Sequence, residues 1–295
     1  MNTLNYTPAA TIVQLTQGSQ EWLDYRRTMR NASETAAVLG VSPWCTPYQL
    51  WLQKTGRSVT KSNAAMQRGT DLEPAARLAY ETETGQIMQP LVLRDGLYSA
   101  SLDGMDLEGD LIVEIKCPYK GQASTLWNDI VVGHVPDHYA AQIQHQLMVS
   151  GAKLAHLYVF DGTQGILRPM EPIEHAFQRI RQGWDLFQTY LDTDTPPPLT
   201  DADTVLRDDA EWTRAAQAFS QAKQAADQAD EAVTKAREAL VALARHPKEQ
   251  GAGVSVTRFW KAGNVDYKRI PVLQGLDLSC FRGKSREEVR VTAQT

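Results

Sequence analysis

The stretch Ser99 to Lys116, Ser-Ala-Ser-Leu-Asp-Gly-Met-Asp-Leu-Glu-Gly-Asp-Leu-Ile-Val-Glu-Ile-Lys, constrains this chain more than any other. Alternating apolar residues flank a Glu108-Gly109 pair, and glycine supplies the positive φ of a two-residue hairpin loop. A hairpin centred there sets Asp103 directly opposite Glu114, with Cβ atoms about 5 Å apart. Period-two alternation puts Lys116 on the same face as Glu114. Two ionised carboxylates that close repel unless a cation lies between them or one takes a proton. Hard oxygen donors without histidine select Mg²⁺ or Mn²⁺ over zinc. A lysine beside such a cation orients water or stabilises charge developing on a phosphate. Asp…Glu-x-Lys is therefore a compact device for metal-dependent phosphodiester hydrolysis. The competing reading is a solvated hairpin face. Leu111-Ile112-Val113, Ile115 and Pro118 argue for a buried strand instead, where unpaired Glu114 and Lys116 would be costly.

The rest of the chain narrows the class. Its 295 residues suffice for one large domain or two modest ones. No apolar run approaches the roughly 18 residues of a membrane helix, and the first residues do not read as a secretory signal. Three scattered cysteines, Cys45, Cys117 and Cys280, build neither a disulfide framework nor a zinc or iron–sulfur site, and fit a reducing cytoplasm. The formal charge of −5 argues against a general nucleic-acid sponge, and the basic surplus sits in residues 251–295.

Three regions are expected. Residues 1–195 mix helical and strand periods. Helices are expected at Ser33–Leu39 with Ser33 as cap, Tyr48–Thr55, Gly69–Gly85, Pro136–Val149 and Arg179–Leu191. Strands are expected within Leu91–Ile115 and at Ala155–Phe160. Pro196-Pro197-Pro198 reads as an extended spacer. Residues 200–250 form a helical arm in which Trp212, Phe219, Ala226, Val233 and Leu240 recur every seven residues. Ala215, Ala222, Ala229, Ala236 and Leu243 follow them three positions later. This stripe either serves assembly or partner docking, or folds back on its own domain. Gly251-Ala252-Gly253 marks a weaker boundary before a small basic module, 251–295, with strand-like alternation at Val254–Trp260 and Glu288–Thr292.

Five motifs then resemble, in order, the YqaJ-type viral recombinase family, the lambda-exonuclease branch of the PD-(D/E)xK nucleases. They are Glu21-Trp22-Leu23-Asp24-Tyr25-Arg26 with Ala32-Ser33-Glu34, Arg68-Gly69-Thr70-Asp71-Leu72-Glu73-Pro74, Ser101-Leu102-Asp103-Gly104, Glu114-Ile115-Lys116-Cys117-Pro118, and Tyr139-Ala140-Ala141-Gln142-Ile143-Gln144. The resemblance covers about half the chain. It implies an α/β fold: a restriction-endonuclease-like core with a central mixed sheet flanked by helices, here followed by the helical arm and the small β-containing module.

Residue by residue, the resemblance implies metal binding by Asp103, Glu114 and the Ile115 carbonyl, with Glu73 assisting. Lys116 would activate water, Gln142 would line the site, and Tyr139 would sit one helical turn earlier. Arg26 and Ser33 would hold a DNA phosphate. Taken on their residues alone, Glu73 reads as a solvent-facing helix residue, Arg26 as a surface charge, and Gln142 as part of a buried polar cluster with Tyr139 and Gln146. His138 and His145 read as structural, and Cys117 as an apolar filler.

The function so implied is a Mg²⁺-dependent phage-type exonuclease, with Mn²⁺ as a substitute. It would degrade double-stranded DNA from ends, 5′ to 3′, leaving 3′ single strands for recombination. A homo-oligomer, trimeric by analogy, and a single-strand annealing protein are the expected partners, in the cytoplasm of a bacterial host and with a phage or prophage origin. The rivals are a structure-specific or restriction-like endonuclease on the same core, and a non-catalytic DNA-end-binding recombination scaffold.

Overall fold

The computed structural model describes residues 10–16, 18–58 and 64–260, with the single positions 263, 270 and 271. The strand expected at Glu288–Thr292 and Cys280 lie outside the described residues. The chain divides into two compact units, residues 1–204 and 205–295.

The first unit is a mixed sheet flanked by helices. Strands β1 (Thr11–Ile12), β3 (Gln89–Asp95), β4 (Tyr98–Met105), β5 (Leu111–Lys116), β6 (Leu154–Phe160) and β7 (Gly165–Met170) lie side by side in that order. β2 (Arg30–Asn31) pairs in parallel with the start of β4. All neighbours along the order are antiparallel except β5 and β6. That parallel pair needs a long crossover, and the chain between them supplies α5 (Thr125–Val131) and α6 (Asp137–Ser150). The other helices of this unit are α1 (Gln20–Thr28), α2 (Thr35–Val38), α3 (Pro47–Lys54), α4 (Ala64–Thr84) and α7 (Glu174–Asp192).

Alternation along β5 sorts the two faces. Leu111, Val113 and Ile115 pack with Ala76 and Tyr80 of α4 and with Tyr158 and Phe160 of β6. Ile112 packs on the opposite side, in the larger cluster holding Ile143 and Leu147 of α6 and Ile180, Trp184 and Phe187 of α7. Glu114 and Lys116 are in phase with Ile112 and so point toward α6. The ends of α6 are fixed by Pro136 before it and by Gly151 after it, whose φ of 70° suits glycine and whose N–H returns to the Leu147 carbonyl.

Three local expectations are corrected. The β4–β5 loop is wider than two residues: Asp106 Oδ1 accepts from the Asp110 and Leu111 amides, and Gly109 has φ 76°. The widening is symmetric about Glu108–Gly109, so the register survives as Gly104↔Val113 and Met105↔Ile112. Ser33 is not a helix cap. It lies inside a 3₁₀ turn, Ala32–Glu34, that Asn31 precedes, and α2 starts only at Thr35. The proline run is no free spacer: Pro197 is buried, and Asp203 beyond it accepts from Thr46 Oγ1 at 2.5 Å.

In the second unit, α8 (Ala210–Leu243) runs 34 residues, capped by Asp209 through the Trp212 amide. β8 (Lys248–Gly251) and β9 (Val254–Thr257) form an antiparallel hairpin, so Gly251-Ala252-Gly253 is its turn rather than a linker. No described helix is long and apolar enough to cross a membrane.

Candidate active site

The β4–β5 ladder opens at the predicted residues. Its last pair is Gly104↔Val113. Continued one step, the same register would set Asp103 against Glu114 at a site without cross-strand hydrogen bonds, where side chains come closest. There the Ile115 N–H donates to Asp103 Oδ2 at 2.7 Å instead of extending the ladder. Gly104 makes the approach possible, because a Cβ would lie 2.7 Å from Met88 Cβ and 2.8 Å from Val113 Cγ1.

Glu114 is 2% exposed yet fully engaged. Its Oε1 accepts from Lys116 Nζ and, at 2.6 Å, from Gln142 Nε2. Its Oε2 accepts from Gln146 Nε2 at 2.5 Å. Gln142 and Gln146 stand one turn apart on α6 and hold the carboxylate from the same side. Lys116 Nζ lies 5.5 Å from the Tyr139 ring centroid, at the start of the same helix. Glu73 on α4 pairs with Arg77 at 3.7 Å, and Arg77 Nη1 donates to the Asp103 carbonyl at 2.9 Å. Asp103, Glu114, Lys116, Glu73, Gln142, Tyr139 and Ile115 are thus gathered around one end of β5.

The electrostatics follow from this crowding. Burial first, and then the Glu114 carboxylate, hold the Asp103 carboxyl well above the usual range. Glu73 is raised as well, by burial and by Glu114, against the pull of Arg77. For Lys116, burial alone would lower the ammonium, but Glu114 and Asp103 outweigh it and raise it. Cys117 is pushed up to about 11 by burial and by Asp103, so it stays a thiol. Among the described residues, no three acidic, histidine or cysteine side chains form a ready metal cage. The donors present nevertheless fit a hard divalent cation. Two carboxylates sharing a buried corner gain from one, Glu73 and the Ile115 carbonyl add oxygen, and Mg²⁺ retains several waters rather than demanding a full protein shell.

Arg26 and Ser33 also meet. Arg26 Nη2 donates to Ser33 Oγ at 2.9 Å and lies 3.4 Å from Glu34 Oε1, and its guanidinium covers the Trp22 ring at 4.6 Å. Trp22 Nε1 in turn donates to Ser101 Oγ at 3.4 Å, two residues before Asp103. Lys54 closes the cluster from below. Its Nζ reaches Glu34 Oε2 at 2.6 Å and the Arg26 and Met29 carbonyls at 2.7 Å. Asn31 Nδ2 donates to Glu34 and to the Arg26 carbonyl. Two cations against one carboxylate leave the cluster positive.

Sequence reasoning passed over Arg77, Lys54 and Trp44. Arg77 carried a signal, its i,i+4 spacing from Glu73. Trp44, 69% exposed, meets the His138 ring edge-on at 4.7 Å beside Tyr139, and nothing in its local pattern marked it. His145 takes the structural role expected of it, whereas His138 makes ring contacts to Trp44 and Tyr139. His145 Nδ1 hydrogen-bonds the Thr35 hydroxyl at 2.6 Å in the core, and burial lowers both imidazoles.

Known proteins resemble this chain in sequence and fold. Residues 21–153 match the model of the YqaJ-like viral recombinase domain. The protein YqaJ of Bacillus subtilis (strain 168) is 32% identical over 146 residues, 47% of this chain and 44% of that relative's length. The chain therefore spans less than half of this curated relative. The alkaline exonuclease LHK-Exo of Laribacter hongkongensis superposes with a TM-score of 0.52 at 27% identity, over 60% of this chain and 94% of its own. Its complex with dAMP gives a TM-score of 0.51 over the same shares. The α/β fold is thus similar to that of the lambda-exonuclease-like PD-(D/E)xK nucleases, and residues 21–153 are similar to the YqaJ-like viral recombinase domain.

Proposed function

We propose that this chain is a divalent-metal-dependent deoxyribonuclease that removes nucleotides from the ends of duplex DNA, 5′ to 3′, and leaves 3′ single strands for recombination. The observation that carries the reading is the corner where Asp103 and Glu114 converge, with the Lys116 ammonium on Glu114 Oε1.

Asp103, Glu114 and the Ile115 carbonyl, assisted by Glu73, would hold Mg²⁺, or Mn²⁺ in its place. Such an ion supplies charge neutralisation on the scissile phosphate and acidifies its bound water. The chain's own groups do the remainder. Gln142 and Gln146 fix the Glu114 carboxylate, so its lone pairs are aimed before substrate arrives. Lys116, fully charged at neutral pH, orients the attacking water and stabilises charge on the phosphate. Arg77 anchors the Asp103 backbone and steadies Glu73. Arg26 and Ser33 offer a fork and a hydroxyl to a terminal 5′-phosphate, and Tyr139 lines the approach. An acidic chain can still seat DNA where its local field is positive. The family resemblance supports a homo-oligomer, trimeric by analogy, a single-strand annealing partner, and action in the cytoplasm of a bacterial host.

The test is a time course on end-labelled linear duplex and on covalently closed circular DNA, with and without Mg²⁺, using 5′-phosphate and 5′-hydroxyl ends. The reading expects Mg²⁺-dependent loss of the linear substrate, faster from 5′-phosphate ends, and an intact circle. Cutting of the circle would assign an endonuclease, and inert linear DNA with Mg²⁺ would leave a DNA-binding scaffold.

A further inference from the structure

Arg207 lies over the Trp212 ring of helix α8 at 4.8 Å and the β8–β9 hairpin borders the other end of the helix; among the described residues the stripe between them is uncovered. At 34 residues it is about 51 Å long. Trp212, Phe219, Ala226, Val233 and Leu240 repeat at one heptad position, a, and Ala215, Ala222, Ala229, Ala236 and Leu243 at position d. The flanking g positions, Ala218, Ala225, Ala232 and Ala239, are all alanine. No residue of the helix is buried; Trp212 is 51% exposed, Val233 65% and Leu243 74%. A stripe this long in water is the signature of a helix made to pair.

Size, charge and shape select the partner and its direction. In an antiparallel pair each a residue meets a d residue of the other helix. With Ala226 set against Ala229 of a second copy, Phe219 meets Ala236, Val233 meets Ala222 and Leu240 meets Ala215. Large side chains then oppose alanine layer after layer, and the helices can approach closely. A parallel pair would stack Trp212 on Trp212 and Phe219 on Phe219 and leave the alanine layers underfilled. The same antiparallel register brings the e-position Lys223 beside Asp230 of the second copy, while Arg237 meets Ala216. In a parallel pair these charges would face only alanines, because e residues then flank g residues.

The ends agree as well. Opposite Trp212 the register sets Leu243 of the second copy. Leu243 borders a cavity of about 240 Å³, lined by Leu240, Leu243 and Ala244 of the helix end and by Glu249, Gln250, Gly251, Val254 and Val256 of the β8–β9 hairpin. An indole arriving at Leu243 finds the aliphatic side chains of Leu240, Val254 and Val256 there, beside the polar Glu249 and Gln250.

We propose that α8 pairs antiparallel with α8 of a second copy of this chain, seating each Trp212 in the recess between the other copy's helix end and hairpin. The pairing does not rest on the nuclease reading. A two-fold contact cannot close a three-fold ring, so it would be additional to any trimer formed through residues 1–204.

Cysteine cross-linking in the full chain tests both pairing and direction. Ala222→Cys, Val233→Cys and the double variant are oxidised and run without reductant beside the parent, whose Cys45, Cys117 and Cys280 set the background. All variants must keep the parent's helical circular dichroism, which these exposed positions favour. The antiparallel pair expects covalent dimer in the double variant, and in a mixture of the two single variants, but not in either single variant alone. Dimer in each single variant would mean a parallel pair, and no dimer above background in any sample would mean that something other than a second copy covers the stripe. Either result overturns the proposal. In sedimentation, Trp212→Ala should weaken self-association at least tenfold in Kd, and Lys223→Asp should be rescued by adding Asp230→Lys. An unchanged association constant in Trp212→Ala would remove the recess from the account.

Discussion

Helices α6 and α8 are built by opposite rules. The 14-residue α6 buries eight consecutive residues, Ile143 to Ser150, and Gln144, His145 and Gln146 are among them. The 34-residue α8 buries none, although its stripe is apolar. In α6 the polar groups are inside and bonded: Gln146 to Glu114, His145 to Thr35, Gln144 to the Glu171 carbonyl and the Ile173 amide. Polar residues in a dry interior are expensive unless paired, and once paired they hold their geometry rigidly. Helix α6 thus spends its interior on fixing a carboxylate, whereas α8 holds its apolar surface outside, available to a partner.

The contrast predicts unequal responses to substitution. Gln146→Leu should do the most damage of the helix changes, since it strips the donor from Glu114 Oε2 in a buried setting. A loss of about 2 kcal/mol in denaturant unfolding is expected. Hydrolysis should slow by roughly 10–100-fold, because misplacing a catalytic group by an ångström costs that order. Wild-type stability and rate would mean that α6 does not position the carboxylate.

Acid should reach α6 next. Burial lowers His145 to about 3, and His138 and His156 are displaced the same way. A histidine depressed in the folded state contributes stability that is fully present above its unfolded pKa of about 6.5. That contribution is lost as pH falls below that value, because the unfolded chain then binds the proton and the folded one does not. Between pH 7.5 and 5 the loss from His145 alone is about 2 kcal/mol, measurable as a shift in urea midpoint. His145→Asn should flatten that slope; an unchanged slope would place the sensitivity elsewhere.

On α8 the effect should be smallest. Val233→Ala removes a side chain already 65% exposed, so thermal unfolding of dilute chain should change by less than about 0.5 kcal/mol. The same change should weaken self-association at high concentration, and a large loss in dilute chain would show that the stripe is covered internally.

The same contrast explains what could be read in advance. The α8 stripe was legible because an exposed heptad obeys one period throughout. The hairpin was legible because its register depends on the turn centre. Asp106 widened the loop evenly on both sides, so the register held through Gly104↔Val113, one step short of Asp103 and Glu114. Gln146 was legible only as a member of a buried polar cluster with Gln142 and Tyr139; its hold on Glu114 depends on how α6 packs against β5, which helix spacing does not record. Ser33 was misread because Asn31, two residues earlier, bends the chain by bonding the Arg26 and Met29 carbonyls. That delays the helix and turns Glu34 toward Arg26 and Lys54 rather than along a helix axis. Arg77 and Lys54 act on backbone carbonyls distant in sequence, and side-chain spacing carries no record of such bonds.

The most direct measurement is the initial rate of nucleotide release from an end-labelled 5′-phosphorylated duplex at saturating Mg²⁺, comparing the parent with Lys116→Ala. Lys116 keeps 25% of its side chain accessible, so the variant should fold, which its unfolding midpoint will verify. The account predicts a fall of at least about 10³-fold in rate with duplex binding retained. A variant that releases nucleotides as fast as the parent would contradict it.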